Sequence, residues 1–384
     1  MRHVFSCKLK VTNYMKKIVL RIVAVLGVTL LMSVAGLYCI MWICVNGPSQ
    51  RAKELFVLSV RETSAAGFLA DIFCTKEEIS ELEQANKADD NLVTDTTLIN
   101  VQPVKEQAEG KQKFDLAVSE DSNVSGGTDN SGKTGNGDKS SKGSPNSILR
   151  EDGIEFHNVS GATYKGIMMV VEDPSRIIIG ASSSKYEEDV PGKKVIDMIT
   201  SYKAVGGVNA GGFEDPNGAG NGGIPIGLVI SEGKMLYGEP ESRYEVIGFS
   251  KDNILVVGTM TAAKALQMGI RDAVSFGPAL VVNGKATKAS GGGGFNPRTA
   301  IGQRADGAVL LLVIDGRQSA SLGATYGDIT KIMLEFGAVN AANLDGGSSS
   351  VMYYKGKLLN TCCSLYGPRE MPTCILVKNG GGSQ

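Results

Sequence analysis

The sequence predicts an α+β protein: a single globular domain on a mixed or antiparallel sheet with a few short helices, preceded by a transmembrane helix and a disordered linker. Three observations carry this reading. A charge-free stretch runs from Ile22 to Val45, residues 85–146 turn to Asp, Asn, Ser, Gly and Lys, and from about Ile148 short apolar runs recur between Gly, Asn and Pro. The boundaries that follow are a basic cytoplasmic tail over 1–17, an anchor over 18–45, a membrane-proximal helix and flexible polar linker over 46–150, and the globular domain over 151–379.

The apolar stretch is about as long as needed to cross a hydrocarbon core of ~30 Å. Arg2, Lys8, Lys10, Lys16, Lys17 and Arg21 precede it without an acid, so the positive-inside rule leaves the N-terminus in the cytoplasm and the rest outside, a single-pass topology in the cell membrane. The alternative, a cleaved signal peptide, asks for a shorter apolar core and a small-x-small site. Here Tyr38, Ile40, Met41, Trp42 and Ile43 lengthen the run, and Trp42 suits the outer interface. From Lys53 to Gln84, Leu55, Leu58, Phe68, Leu69, Ile72 and Phe73 have loosely helical spacing that Gly67 weakens, as expected of a solvated or interfacial stalk. The following composition cannot bury a core.

In the globular part, Ile167 to Val171 and Arg176 to Ala181 read as strands around Asp173-Pro174-Ser175. Lys194 to Ala204 reads as a helix that Gly206-Gly207 stops. Hairpins are expected around Glu232-Gly233 and Lys251-Asp252-Asn253. Thr261 caps a helix through Met268, Asp328 to Phe336 forms another, and Val339 to Leu344 follows as a buried strand. The glycine-rich stretch 218–223 is no nucleotide loop, because Pro225 breaks any helix after it and no Lys-Ser/Thr follows; it reads as a substrate-proximal or ordinary surface loop.

Several chemistries are disfavoured. A net charge of −1 gives no reason to expect nucleic acid. With only two histidines, His3 and a surface His157, neither a Ser-His-Asp triad nor a multi-histidine zinc site is expected. Of seven cysteines, Cys362, Cys363 and Cys374 fall in the globular domain, where Cys374 either pairs with one of the other two or stays reduced.

Carboxylates, arginines and hydroxyls remain. Asn343-Leu344-Asp345-Gly346-Gly347-Ser348-Ser349-Ser350 sets a carboxylate at a strand end before a tight turn whose N–H groups and hydroxyls are suited to an anion. Pro297-Arg298-Thr299 puts a cation at the mouth of a strand, and Val309 to Ile314 runs into Asp315-Gly316-Arg317.

With Val208-Asn209-Ala210-Gly211-Gly212-Phe213, these segments resemble, in order, the phosphodiester glycosidase family over roughly residues 154–379. The resemblance implies hydrolysis of a sugar 1-phosphodiester of the N-acetylglucosamine-1-phosphodiester type, with Asp345, Asp315 and Arg298 catalytic. It implies substrate contacts from Asn209, Phe213, Asp215, Thr299, Arg317, Asn343, Gly346, Gly347, Ser348, Ser349, Asn360 and Arg369. A phosphodiester leaving group is already a stable anion and needs positive charge more than a proton. No cofactor is required, although a calcium ion between Asp315 and Asp345 fits oxygen-rich chemistry. The expected partners are a cell-surface glycan or other phosphodiester-linked sugar and the bilayer. Glu214-Asp215-Pro216 after Phe213, and Ser348 in place of a third glycine, depart from the family pattern and bear on sugar specificity. The alternative is a surface module that binds anionic glycans, or assists exopolysaccharide assembly, without cleaving them.

Overall fold

The computed structural model describes residues 2–63, 66–85, 92–101, 147–364 and 366–380. It divides into two compact units, 1–84 and 85–384.

The first unit begins with helix α1 (Arg2–Asn46), whose apolar part from Tyr14 to Asn46 is long and apolar enough to cross a membrane and is unburied by protein. The stalk expected after it is more compact than a single helix. Three helices follow, α2 (Gln50–Arg61), α3 (Phe68–Phe73) and α4 (Lys76–Ala85), with Gly67 at the start of α3. Val57, Ala70, Cys74 and Ile79 close a small core on Val45 of α1. Ser49 caps α2, and Thr75 and Glu78 exchange side-chain and backbone bonds at the start of α4, a capping box that supplies partners for two otherwise unmatched N–H groups.

The second unit is layered. An eight-stranded sheet runs in the order 147–151, 154–160, 165–171, 309–314, 298–304, 338–344, 279–282, 285–286. Two five-stranded sheets lie against one of its faces: 255–261, 243–250, 270–275, 229–231, 234–237, and 357–358, 352–354, 204–209, 373–378, 177–181. The single sheet expected from the strand pattern is thus three large sheets and a two-stranded pairing of 193–194 with 370–371, because strands buried on both faces require a layer on each side. Val309–Ile314 shows this directly: Val309, Leu311 and Val313 enter the core shared with the five-stranded sheets, while Leu310, Leu312 and Ile314 pack under helix α7 (Tyr326–Glu335). Helices α5 (Val195–Ser201) and α6 (Ala262–Gln267) cover the outer faces of the five-stranded sheets.

Four local expectations are corrected. Gly206 and Gly207 do not stop a helix; they lie within the strand Ala204–Asn209, where an added Cβ would stand 2.6 Å from the Tyr353 carbonyl oxygen and 2.3 Å from that of Ile375. Their role is close approach between strands. His157 is buried, not at the surface, with Nε2 3.2 Å from a Glu155 oxygen and its ring edge-on to Phe336. Helix α7 starts ahead of Asp328, because Thr325 and Asp328 form a capping box.

The fourth concerns residues 92–101, expected in the polar linker, which are laid along the domain; the rest of that expected linker, 86–91 and 102–146, lies outside the described residues. Thr94 Oγ1 donates to the Val257 carbonyl and accepts from its N–H, at 2.8 and 2.9 Å. The Asn283 side chain accepts from Asp95 N–H and donates to the Val93 carbonyl, and Asn100 N–H donates to the Ala305 carbonyl. Gly258 has no side chain because a Cβ there would meet the Leu92 carbonyl oxygen at 2.5 Å. Buried bonds of this kind contribute about 1 kcal/mol each. A fragment starting at residue 102 is therefore expected to melt several degrees below one starting at 86, by differential scanning calorimetry. Equal melting temperatures would show that the strap adds nothing.

Candidate active site

The motifs singled out in the sequence meet at one end of the sheets. On the strand Arg298–Arg304, Arg298 pairs with Ile314 and Thr299 with Leu344. The chains leaving at Asp315 and Asp345 therefore emerge on either side of that strand, two inter-strand spacings or about 10 Å apart. From the five-stranded sheet, Ala204–Asn209 ends beside them, and Asp345 N–H donates to the Ala210 carbonyl at 2.9 Å.

Asn209 joins these segments. It is fully buried; its Nδ2 donates to the Asp345 carbonyl, and its Oδ1 accepts from Thr299 Oγ1 at 2.7 Å and from Val351 N–H at 3.2 Å. The expectation that Asn209 and Thr299 touch substrate is corrected: both are sealed inside and spend their polar atoms on one another and on backbone. Asn343 is equally buried, with Nδ2 donating to the Gly277 carbonyl at 2.8 Å and Oδ1 left without a partner among the described residues.

The turn after Asp345 also differs from its expected role. Gly347 N–H donates to the Pro297 carbonyl, Ser349 N–H to that of Gly346, Ser350 N–H to that of Gly347, and Gly346 N–H to the Asp345 carboxylate. These four donors build the turn and are not free for the anion anticipated from the two glycines. The glycines are required sterically. A Cβ on Gly346 would lie 2.7 Å from the Pro297 oxygen, and Gly347 has φ +60° with the Arg317 guanidinium 3.3 Å from the Cβ position.

The Asp345 carboxyl lies partly exposed on the floor of this junction. Its pKa is pushed up to about 6, first by loss of solvation, against lowering by the Ser349 hydroxyl, the Arg369 charge and Gly346 N–H; the Asp215 carboxylate raises it further. Asp315 is half-buried, its Oδ1 accepting from Thr361 N–H at 2.9 Å and Asn360 Nδ2 at 3.2 Å; burial raises its pKa and these bonds oppose the rise. Asn360 acts through Asp315 and through the Ser350 carbonyl and Met352 N–H, so it positions rather than lines.

Cationic charge reaches Asp345 from Arg369. Its two terminal nitrogens each donate at 2.7 Å to one oxygen of Asp215, its guanidinium lies 4.8 Å over the Phe213 ring, and it extends toward Ser348 Oγ at 3.5 Å and to the Gly220 carbonyl at 3.0 Å. This two-pronged, stacked arrangement fixes the guanidinium plane. Gly220 N–H also donates to Asp215, which ties the glycine-rich loop to the site. Arg298, expected to supply the cation, is instead 4 % exposed, bonded to the carbonyls of Ala324 and Gly294 and stacked 4.3 Å from the Tyr326 ring centre. A buried guanidinium requires such acceptors, and backbone carbonyls supply them here. Arg317 is exposed at the rim and donates to Asn296 Oδ1 at 3.0 Å.

Cys374 is buried and reduced, with its sulfur 3.6 Å from that of Met198; Cys362 and Cys363 are also free. Of the two readings left open for Cys374 the structure has the reduced one, and Cys362 faces the Ser348 carbonyl. Among the described residues, no group of three or more His, Cys, Asp or Glu is arranged to hold a metal ion. A shallow depression beside α7, lined by Ser290, Thr330, Lys331 and Glu335, contains none of the site groups. Sequence reasoning missed Thr361, which acts through its N–H, and Asn296 and Tyr326, which support arginines; none carries a side-chain signature of that task.

The arrangement is an α+β domain with two carboxylates at the ends of strands flanking Arg298–Arg304 and an Arg-Asp fork whose charge reaches one of them. Residues 202–378 match the family described as phosphodiester glycosidase. Over 194 residues the chain is 31 % identical to the SPbeta prophage-derived uncharacterized protein YomE of Bacillus subtilis (strain 168), covering 46 % of this chain and 28 % of that protein. The fold is similar to the catalytic domain of zebrafish N-acetylglucosamine-1-phosphodiester alpha-N-acetylglucosaminidase, with a TM-score of 0.50 at 20 % identity, over 59 % of this chain and 82 % of that one.

Two stability tests follow. Asn209→Ala is expected to cost about 2–4 kcal/mol, read by urea denaturation, because it strands a buried hydroxyl and an N–H. For Asp345 the folded carboxyl holds its proton up to about pH 6, well above the ~3.9 of an unfolded chain, so stability falls as pH rises through that window. Asp345→Asn is accordingly expected to raise the melting temperature at pH 7.5 and to lose most of that gain at pH 4. A pH-independent difference would contradict the assignment.

Proposed function

We propose that the domain hydrolyses sugar 1-phosphodiesters of the N-acetylglucosamine-1-phosphodiester type in surface glycans, outside a membrane in which α1 is the anchor. The observation that carries the proposal is the pairing of Asp345, a carboxyl poised near neutrality, with the fixed guanidinium of Arg369. Cleavage at the anomeric carbon releases a phosphate monoester anion, and a cation held by Asp215 and Phe213 stabilises that departing charge without needing to donate a proton. Asp345, ionised above about pH 6, attacks the anomeric carbon or deprotonates water. Asp315, fixed by Asn360 and Thr361, orients the sugar. Arg298 and Asn209 hold the strand ends in register. The match to the phosphodiester glycosidase family supports the reaction class, while the sugar and the glycan setting rest on the chemistry of the site and on the apolar helix.

Three measurements test the proposal. Purified protein given an N-acetylglucosamine 1-phosphodiester is expected to release free sugar; tight binding without release would favour a glycan-binding module instead. Asp345→Asn is expected to lower kcat at least 10³-fold with retained far-ultraviolet circular dichroism, and residual activity near wild type would refute its role. Because Asp345 acts ionised, kcat/KM is expected to fall tenfold per pH unit below about pH 6. A decline above pH 6 would make it the acid.

A further inference from the structure

The juxtamembrane unit carries an apolar surface that its own core does not use. Helix α3 turns Ala70 inward, where it is fully buried, and leaves Phe68 62 % and Ile72 54 % exposed one helical turn apart. This surface adjoins α1. The Phe73 ring lies 5.2 Å from that of Tyr38 and 6.3 Å from that of Phe56, so α3 is held against the C-terminal part of the apolar helix. Val45 of α1 completes the core of α2–α4, which builds the end of the long helix into a folded unit.

The depth follows from lengths. Arg21 is the last charge before the apolar stretch, and ~30 Å of hydrocarbon at ~1.5 Å per residue takes about twenty residues, ending near Met41. Tyr38, about one turn short of that limit, and α3 beside it then lie at the boundary between acyl chains and headgroups. Trp42, 51 % exposed, falls at the same level and is an interfacial residue type. Several charged groups of the unit pair within it, Lys53 to Glu78 at 2.7 Å and Arg61 to Glu83 at 3.1 Å. Asp71, on α3 itself, lies 3.8 Å from Arg61, a pairing suited to the headgroup layer.

We propose that α2–α4 form a collar seated on the outer leaflet of the membrane crossed by α1, with Phe68 and Ile72 of α3 inserted among the lipids. The partner is the bilayer itself, recognised by apolar side chains continuous with the exposed surface of α1. The collar gives the anchor a second point of contact, which fixes how the chain leaves the membrane.

Trp42 is the only tryptophan in the chain, so a single reporter can be moved. Full-length Trp42→Phe/Phe68→Trp, and separately Trp42→Phe/Ile72→Trp, are reconstituted in phosphatidylcholine vesicles with and without brominated acyl chains. Insertion predicts blue-shifted emission, at least twofold quenching by brominated lipid and little quenching by aqueous acrylamide. Efficient acrylamide quenching with red-shifted emission would overturn the proposal by placing α3 in water. Blue-shifted emission insensitive to both quenchers would overturn it too, showing that a protein surface such as a second copy covers the helix. Neither result touches the glycosidase assignment.

Discussion

The buried amide of Asn209 is the constraint on which the site depends. It lies where the eight-stranded sheet meets a five-stranded sheet and takes bonds from or gives bonds to segments beginning at 299, 345 and 351. Each of those segments lies at or beside a strand terminus, and strand termini drift unless their polar groups are matched. A side chain with one donor group and one acceptor group, enclosed at low dielectric, satisfies all three at once. A shift of any strand by one residue would leave a buried donor or acceptor unmatched, so the register that places Asp345 is enforced at the same atom that closes the core.

Once that register is set, the electrostatics follow from which charges are enclosed. Asp345 loses solvent and gains only partial compensation, so its proton is held more tightly than in water. Arg369 remains charged because Asp215 meets its fork and Phe213 its face. Arg298 shows the opposite use of the same side chain: turned into the core beneath Tyr326, it spends its donors on carbonyls and becomes a fastener between loops. Arg369 is held chiefly by the Asp215 carboxylate, whereas Arg298 reaches the backbone oxygens of Ala324 and Gly294.

Helices α2–α4 and the strap at 92–101 extend the ordered structure beyond the layered sheets. Each uses inexpensive local chemistry: a Ser or Thr at a helix start, a hydroxyl exchanging bonds with one peptide unit, an asparagine bridging two backbone groups. Their polar composition conceals them, because a few well-placed bonds order a short segment that has little apolar surface to bury.

Much of the fold was legible because it follows from local pattern. The apolar length of α1, the hairpin turns at Glu232-Gly233 and Asn253, the Thr261 cap and the Asp315 and Asp345 strand ends are all properties of short windows. Phe213, Asp215, Ser348 and Arg369 were also among the residues expected at the site, and the structure brings them together. What each of them does was not legible. Whether Gly206-Gly207 stops a helix or lets two strands close, whether Arg298 or Arg369 faces the acid, and whether the turn at 346–350 has N–H groups to spare depend on partners more than a hundred residues away in several cases. The sequence by itself determined the elements and the chemical inventory, since these depend on side-chain period and residue type. Only the tertiary structure decided which polar groups are consumed in holding the fold and which remain for chemistry, because a hydrogen bond or an ion pair is a property of two groups brought together.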